Sequence, residues 1–272
     1  NTVVNGNTVE TGYYEMGDKL ELVRKDDAET AGLIRSKFAI PQQVVSIENS
    51  SVLIVDDLGR RWRLPLGDKA YTSLTNEGQL RICREVATER DLFSCMGTFY
   101  ELPAENADGY AKIRPVSTHN YRINDYASYR GMLVLTGVNP EEGKDNEHVI
   151  VSNDGKAAVW VGVIDDLWQL GKPLGKGGPW KDTSVKAGIP SDPYLIGFYD
   201  RKKLTLSHQS ADDITFTIEA DPTGNGDWME YMVRKVKAGE KWTYEFPAEF
   251  QARWIRFSTD EDTKATAWLE YK

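Results

Sequence analysis

The sequence predicts an all-β protein. Residues 194–272 read as a compact antiparallel β-sandwich, and residues 1–193 as a separate β domain before it. Three observations predict this. From Pro41 onward, apolar and polar residues alternate with the period of a strand, and almost no stretch has helical periodicity. The run HVIVSN-DG-KAAVWVGV sets Asp154-Gly155, a pair suited to positive φ, between two strand-like segments. From Tyr194, the segments LIGFY, KKLTLSH, ITFTIEAD, DWMEYMVRKV, KWTYEFP, ARWIRFST and TAWLEYK follow one another at nearly regular spacing.

Taken in order, residues 1–36 are polar, with short alternations such as YYEM and KLELV that predict one or two edge strands. DDAETAGLIRSKF predicts a short helix, with Asp26 or Asp27 as its N-cap. VVSIEN and SVLIVDDLGRRWRLPL are strands, with Asn49-Ser50 and Asp57-Leu58-Gly59 as turns. LRICREVATERDLFSCMGTFYELP predicts two strands around a charged turn. MLVLTGV and AAVWVGV are the most apolar runs of the middle region. Residues 165–193, rich in Gly and Pro, predict one long loop, and Trp168, Trp180 and Tyr194 argue that it is ordered.

Composition narrows the function. With 40% hydrophobic and 28% charged residues, the 272-residue chain is globular, enough for one large or two ordinary domains. A net charge of −9 disfavours a general nucleic-acid binder, which needs a basic face. No run approaches the roughly 20 apolar residues of a membrane span. Eight Trp and 13 Tyr suit sheet packing and, where exposed, stacking on sugars. A secreted or periplasmic protein is expected, its leader removed. Cys83 and Cys95 each lie in an apolar strand, which favours free thiols over a bridge.

Three clusters suggest chemistry on a polyhydroxylated ligand. The first holds His119, Tyr121, Arg122, Asp125, Tyr126, Tyr129 and Arg130. A lyase acting on a uronate needs a base, an acid and a cation for the carboxylate. His119, Tyr121 and Tyr126 suit the first two roles; Arg122, Tyr129 and Arg130 suit ligand binding. The competing role is a polar loop held by Tyr hydroxyls and an Arg–Asp pair. The second cluster is Asp165-Asp166 beside Trp168. A glycosidase needs two carboxyl groups at a set separation, and neighbours on a strand face opposite ways, so a partner such as Asp125, Asp182 or Asp200 is required. Its competing role is a turn with Asp capping backbone amides. The third is LGKPLGKGGPWKD, in which Trp180 and Lys181 would rim a ligand; an interdomain loop competes with this reading.

His148 and His208 are isolated, and no HxxxH or CxxC spacing predicts zinc. No cofactor is expected beyond a structural calcium, for which Asp221, Asn225 and Asp227 have alternate spacing but lack the EF-hand pattern.

The runs CMGTFYELPAENADGYAKIRPVSTHNYRINDYASYRG, DDLWQLGKPLGKGGPWKDT and PSDPYLIGFYDRKKLTLSH resemble the C-terminal part of large secreted bacterial β-propeller proteins. Some of those are polysaccharide lyases or glycoside hydrolases. The resemblance covers residues 40–272 and lies in strand rhythm, so it transfers no catalytic residue. Asp57-x-Gly59-x-x-Trp62 is similar to the hairpin box of sialidase-type propellers, without its Ser and Thr. The resemblance implies a partial propeller before the sandwich; two β-sandwiches are the alternative. About three blades fall short of the four that close a ring. Further blades, a second chain or a homo-oligomer is therefore expected to cover apolar faces such as those of SVLIV and MLVLTGV. The functional expectation is a polysaccharide lyase or glycoside hydrolase with its site near residues 119–130 and 160–182. The alternative is a non-catalytic carbohydrate-binding or scaffold module.

Overall fold

The computed structural model describes residues 2–4, 7–10, 12–37, 45–68, 83–86, 90–121, 123, 125–141 and 145–272. The protein is all-β, and among the described residues its one α-helix is Ala28–Lys37. No helix among them is long and apolar enough to cross a membrane. The chain forms two compact units that interleave in sequence. The first comprises residues 1–42, 69–97 and 119–167; the second comprises 43–68, 98–118 and 168–272. Residues 193 and 194 both lie inside the second unit.

Two sheets of the second unit make its sandwich, beside the paired strands Thr98–Leu102 and Arg114–Thr118. One has seven strands in the order Met229–Val236, Ile214–Asp221, Trp254–Thr259, Tyr194–Leu195, Arg61–Leu64, Val52–Val55 and Val45–Ile47. The other has four, in the order Gly175–Val185, Thr263–Tyr271, Lys202–His208 and Trp242–Glu245. Neither closes into a barrel, and their inner faces meet as in a sandwich. Trp180 lies 6.3 Å from Phe257, and His208 lies 6.3 Å from Phe216. Alternation explains the layers: Leu204, Leu206, Ala265, Ala267 and Leu269 point inward from one sheet, and Phe216, Ile218, Ile255 and Phe257 from the other.

Two expectations are corrected here. Strands 45–64 do not make a propeller blade. They extend the sandwich sheet, through a parallel pairing of Tyr194 with Arg63. Arg63 anchors the join, donating to Glu48 (2.6 Å), Asp192 (2.7 Å) and Ser51 (2.7 Å). The Gly/Pro-rich stretch is not one long loop either: Gly175–Val185 is an 11-residue strand paired with Thr263–Tyr271. Its glycines permit close approach, since a Cβ at Gly178 would overlap the Ala267 carbonyl.

The turn between Val52–Val55 and Arg61–Leu64 is held by one carboxylate. Asp56, rather than Asp57, lies under the turn and accepts from the Leu58 and Arg60 amides and from Trp62 Nε1 (3.1 Å). Trp62 then packs on Trp254 at 4.9 Å.

The first unit is smaller in strand and core. Its four-stranded sheet runs Tyr126–Tyr129, Met132–Val138, Ala158–Gly162, Val149–Val151. The turn between the first two strands is Arg130-Gly131, both at positive φ, as a tight hairpin demands. The expected Asp154-Gly155 hairpin forms, with Gly155 at φ 70°. Tyr13–Met16 pairs with Leu22–Lys25, and Cys83–Val86 with Arg90–Cys95. Asp27 caps the helix, taking the Thr30 amide at 2.8 Å. Cys95 is a free thiol whose burial pushes its pKa up to about 12, so it is unreactive. The apolar faces of SVLIV and MLVLTGV are covered within this chain: Val52, Ile54, Leu133 and Leu135 are all buried.

Candidate functional site

The residues expected to carry acid–base chemistry belong to the first unit, where His119, Tyr121, Tyr126 and Asp166 have local partners. His119 is 4% exposed. Its amide donates to Gly97 O (2.7 Å), and its Nδ1 accepts the Tyr121 amide (3.2 Å). Burial lowers its pKa to about 4, so the ring is neutral at ordinary pH. Tyr126 is also buried, and its hydroxyl donates to Leu92 O at 2.6 Å. Tyr121, half-buried, accepts at its hydroxyl from Asn146 Nδ2 (3.0 Å). Asp125 Oδ1 takes the Tyr126 amide at 2.8 Å. Arg130 reaches Asp18 Oδ1 at 2.5 Å and lies 5.6 Å from the Tyr129 ring centroid. Arg122 lies outside the described residues.

The acidic pair is not on a strand. Residues Ile164–Leu170 form a 3-10 helix, and Asp166 Oδ2 caps its start by accepting the Val163 amide at 2.7 Å. Asp165 is exposed on the same turn.

Three expected ligand-binding residues belong to the second unit. Trp168 is 53% exposed, with the Arg114 guanidinium 5.9 Å from its ring. Trp180 is 6% exposed and fills the sandwich interior against Phe257. Lys181, next in sequence, points the other way, and its Nζ lies 5.1 Å from the Trp268 ring centroid.

That contact marks a face the sequence clusters did not include. Trp268 sits on the solvent side of the four-stranded sheet, because its neighbours Ala267 and Leu269 are buried. Thr205 is directly opposite Trp268 on one neighbouring strand, and Thr243 is opposite Thr205 on the next. One row of side chains thus reads Lys181, Trp268, Thr205, Thr243. The adjacent row reads Lys176, Glu270, Lys203, Glu245, with opposite charges facing one another across each strand pair. A signal for this face was legible: in TAWLEYK the lone large apolar residue of the polar parity is Trp268.

The Gly-rich loop of the second unit spends its oxygens internally. Asp221 accepts the Thr223, Gly224 and Gly226 amides. The Lys112 ammonium donates to Thr223 O (2.7 Å) and to Asn225 Oδ1. Among the described residues, no group of three or more His, Cys, Asp or Glu is arranged to hold a metal ion.

The first unit also contains an open groove of about 600 Å³. Tyr13, Arg24, Lys25, Asp26, Asp27, Asn153 and Asp154 give it its polar lining. His119 and Asp165 are not part of it. Hydrogen bonds from the Ser152 hydroxyl, the Lys156 amide and Arg24 hold Asp154 down to about 2. Bonds from Thr30 lower Asp27.

Fold and surface together define an all-β protein with a two-sheet sandwich, a polar sheet face bearing one tryptophan, and an open polar groove. Comparison with protein-family models and with curated proteins gives no match.

Proposed function

We propose that the chain is a non-catalytic carbohydrate-binding module, acting outside the cytoplasm, whose ligand face is the solvent side of the four-stranded sheet in the second unit. The row Lys181, Trp268, Thr205, Thr243 carries this reading. An indole offers a flat apolar surface to the C–H face of a sugar ring. The threonine hydroxyls beside it both donate and accept hydrogen bonds, and the lysine adds donors. Lys181 also restrains the indole by a cation–π contact, so less ordering is left for binding. The charged row alongside is compensated in register, which suits a neutral glycan better than a polyanion.

Catalysis has less support. In the groove, hydrogen bonds lower both Asp27 and Asp154, the opposite of what a general acid there would need. His119 and Tyr126 commit polar atoms to backbone partners inside the fold.

Calorimetric titration with neutral and uronate-containing oligosaccharides tests the reading, alongside assays for new reducing ends and for unsaturated-product absorbance. The expected outcome is binding without product, weakened about tenfold or more by Trp268→Ala, as loss of an aromatic anchor entails. Product formation would restore the lyase or hydrolase reading. Binding indifferent to Trp268→Ala would remove the sheet face.

A further inference from the structure

We infer that the groove of the first unit is a second, separate binding site, and that it takes an amine-bearing sugar. It does not depend on the sheet face of the second unit. Ala28, Ala31 and Gly32 of the helix add small residues to the lining of this space of about 600 Å³. A Cβ placed at Gly32 would meet nothing within 4 Å. The hairpin Tyr13–Met16 with Leu22–Lys25 supplies Tyr13 and the cations Arg24 and Lys25. The turn at Asn153-Asp154 supplies an amide side chain and a carboxylate.

Charge selects the ligand class. Three carboxylates, Asp26, Asp27 and Asp154, line the groove against two cations. Both cations already face acids: Arg24 lies 3.4 Å from Asp154, and Lys25 lies 3.7 Å from Glu15. A uronate entering here meets excess negative charge, and an ammonium finds it complementary. Sugar hydroxyls suit the rest of the lining, because carboxylates accept from them and Asn153 both donates and accepts. The Tyr13 ring gives a face for the sugar's C–H groups.

The experiment uses the full chain carrying Trp268→Ala, which removes the sheet-face anchor. Glucosamine oligomers, N-acetylglucosamine oligomers, galacturonate oligomers and a lysine tetrapeptide are titrated at low and at high salt. Glucosamine oligomers are expected to bind about two- to fivefold more tightly than the acetylated ones at low salt, the range of an exposed ion pair. The gap should close at high salt and narrow in Asp26→Asn. Gly32→Leu, which fills open space, should abolish binding of both while the thermal melt does not fall, since leucine favours the helix over glycine. Equal or tighter binding of galacturonate, a lysine peptide that matches the sugar, or binding that survives Gly32→Leu would each overturn the inference. If Trp268→Ala alone abolishes all sugar binding, the groove is not a site and the sheet face stands. If only Gly32→Leu abolishes it, the sheet face fails and the groove stands.

Discussion

The two units differ in how each builds a core. In the second, strands of eight to 11 residues, such as Ile214–Asp221, Thr263–Tyr271 and Gly175–Val185, give two sheets that bury alternate side chains between them. In the first, the longest described strand is Met132–Val138, and Val149–Val151 has three residues. One of its core clusters is only Leu22, Val159 and Val161, with half-buried Tyr14, Met16, Met132, Val134 and Ile150 around it. Long paired strands distribute the cost of ordering the chain over many buried side chains. Short ones leave backbone hydrogen bonds near solvent, where local opening costs least. A sandwich face can thus serve as a rigid platform, whereas the groove lies in the more yielding unit.

The largest expected effect breaks the stronger unit. Trp254 is fully buried, stands 4.9 Å from Trp62 and donates from Nε1 to Ala111 O at 2.8 Å. Trp254→Ala should cost about 3–5 kcal/mol, the usual range for emptying such a site. Denaturant unfolding measures it, with hydrogen exchange of Ile214–Asp221 reporting on the second unit. A cost under about 1 kcal/mol would mean that this core repacks freely.

An intermediate effect belongs to the first unit and depends on pH. The His119 pKa is lowered by burial from 6.5 to about 4. As pH falls below 6.5 the unfolded chain takes the proton first, so stability drops by up to about 1.4 kcal/mol per pH unit and levels near pH 4. His119→Gln should flatten that window. Losses from the lowered carboxylates, Asp27 and Asp154, begin only below their ordinary value of 3.8. An unchanged slope between pH 6.5 and 4 in the variant would contradict the burial of this ring.

The smallest effect is local. Asp27→Ala removes the helix cap and should fray the first turn. Faster exchange confined to the amides of Ala28–Lys37 is the expected signature, and unchanged exchange there would show that the cap contributes nothing.

These differences also track what the sequence made legible. Alternation from Tyr194 onward marked the strands of the sandwich, and in the first unit Asp154-Gly155 marked a hairpin and Asp26 or Asp27 the helix start, because each is a local preference of a few residues. The strand Gly175–Val185 was hidden by its glycines, which looked like a loop until the close approach of Ala267 accounted for them. The chemical clusters were legible as residue types only. The spacing around His119 and Tyr126 matches an acid–base site, yet their environment is interior. Trp180 and Lys181 are adjacent in sequence but face opposite sides of one strand, the first into the core and the second toward Trp268.

By itself the sequence determined the all-β class, the Asp154-Gly155 turn, a helix starting at Asp26 or Asp27, and the alternating strands of residues 194–272. These follow from backbone preferences and a two-residue period that operate over short stretches. Only the tertiary structure decided that residues 45–64 join the sheet of the last strands, that two interleaved units form, and which polar side chains are buried. Strand partners here lie more than a hundred residues apart, as Arg63 and Tyr194 do, and no local pattern encodes which distant edge a strand will find. Burial is likewise set by what packs from elsewhere in the chain. The same His, Trp or Asp can therefore be core, cap or contact surface until its neighbours are in place.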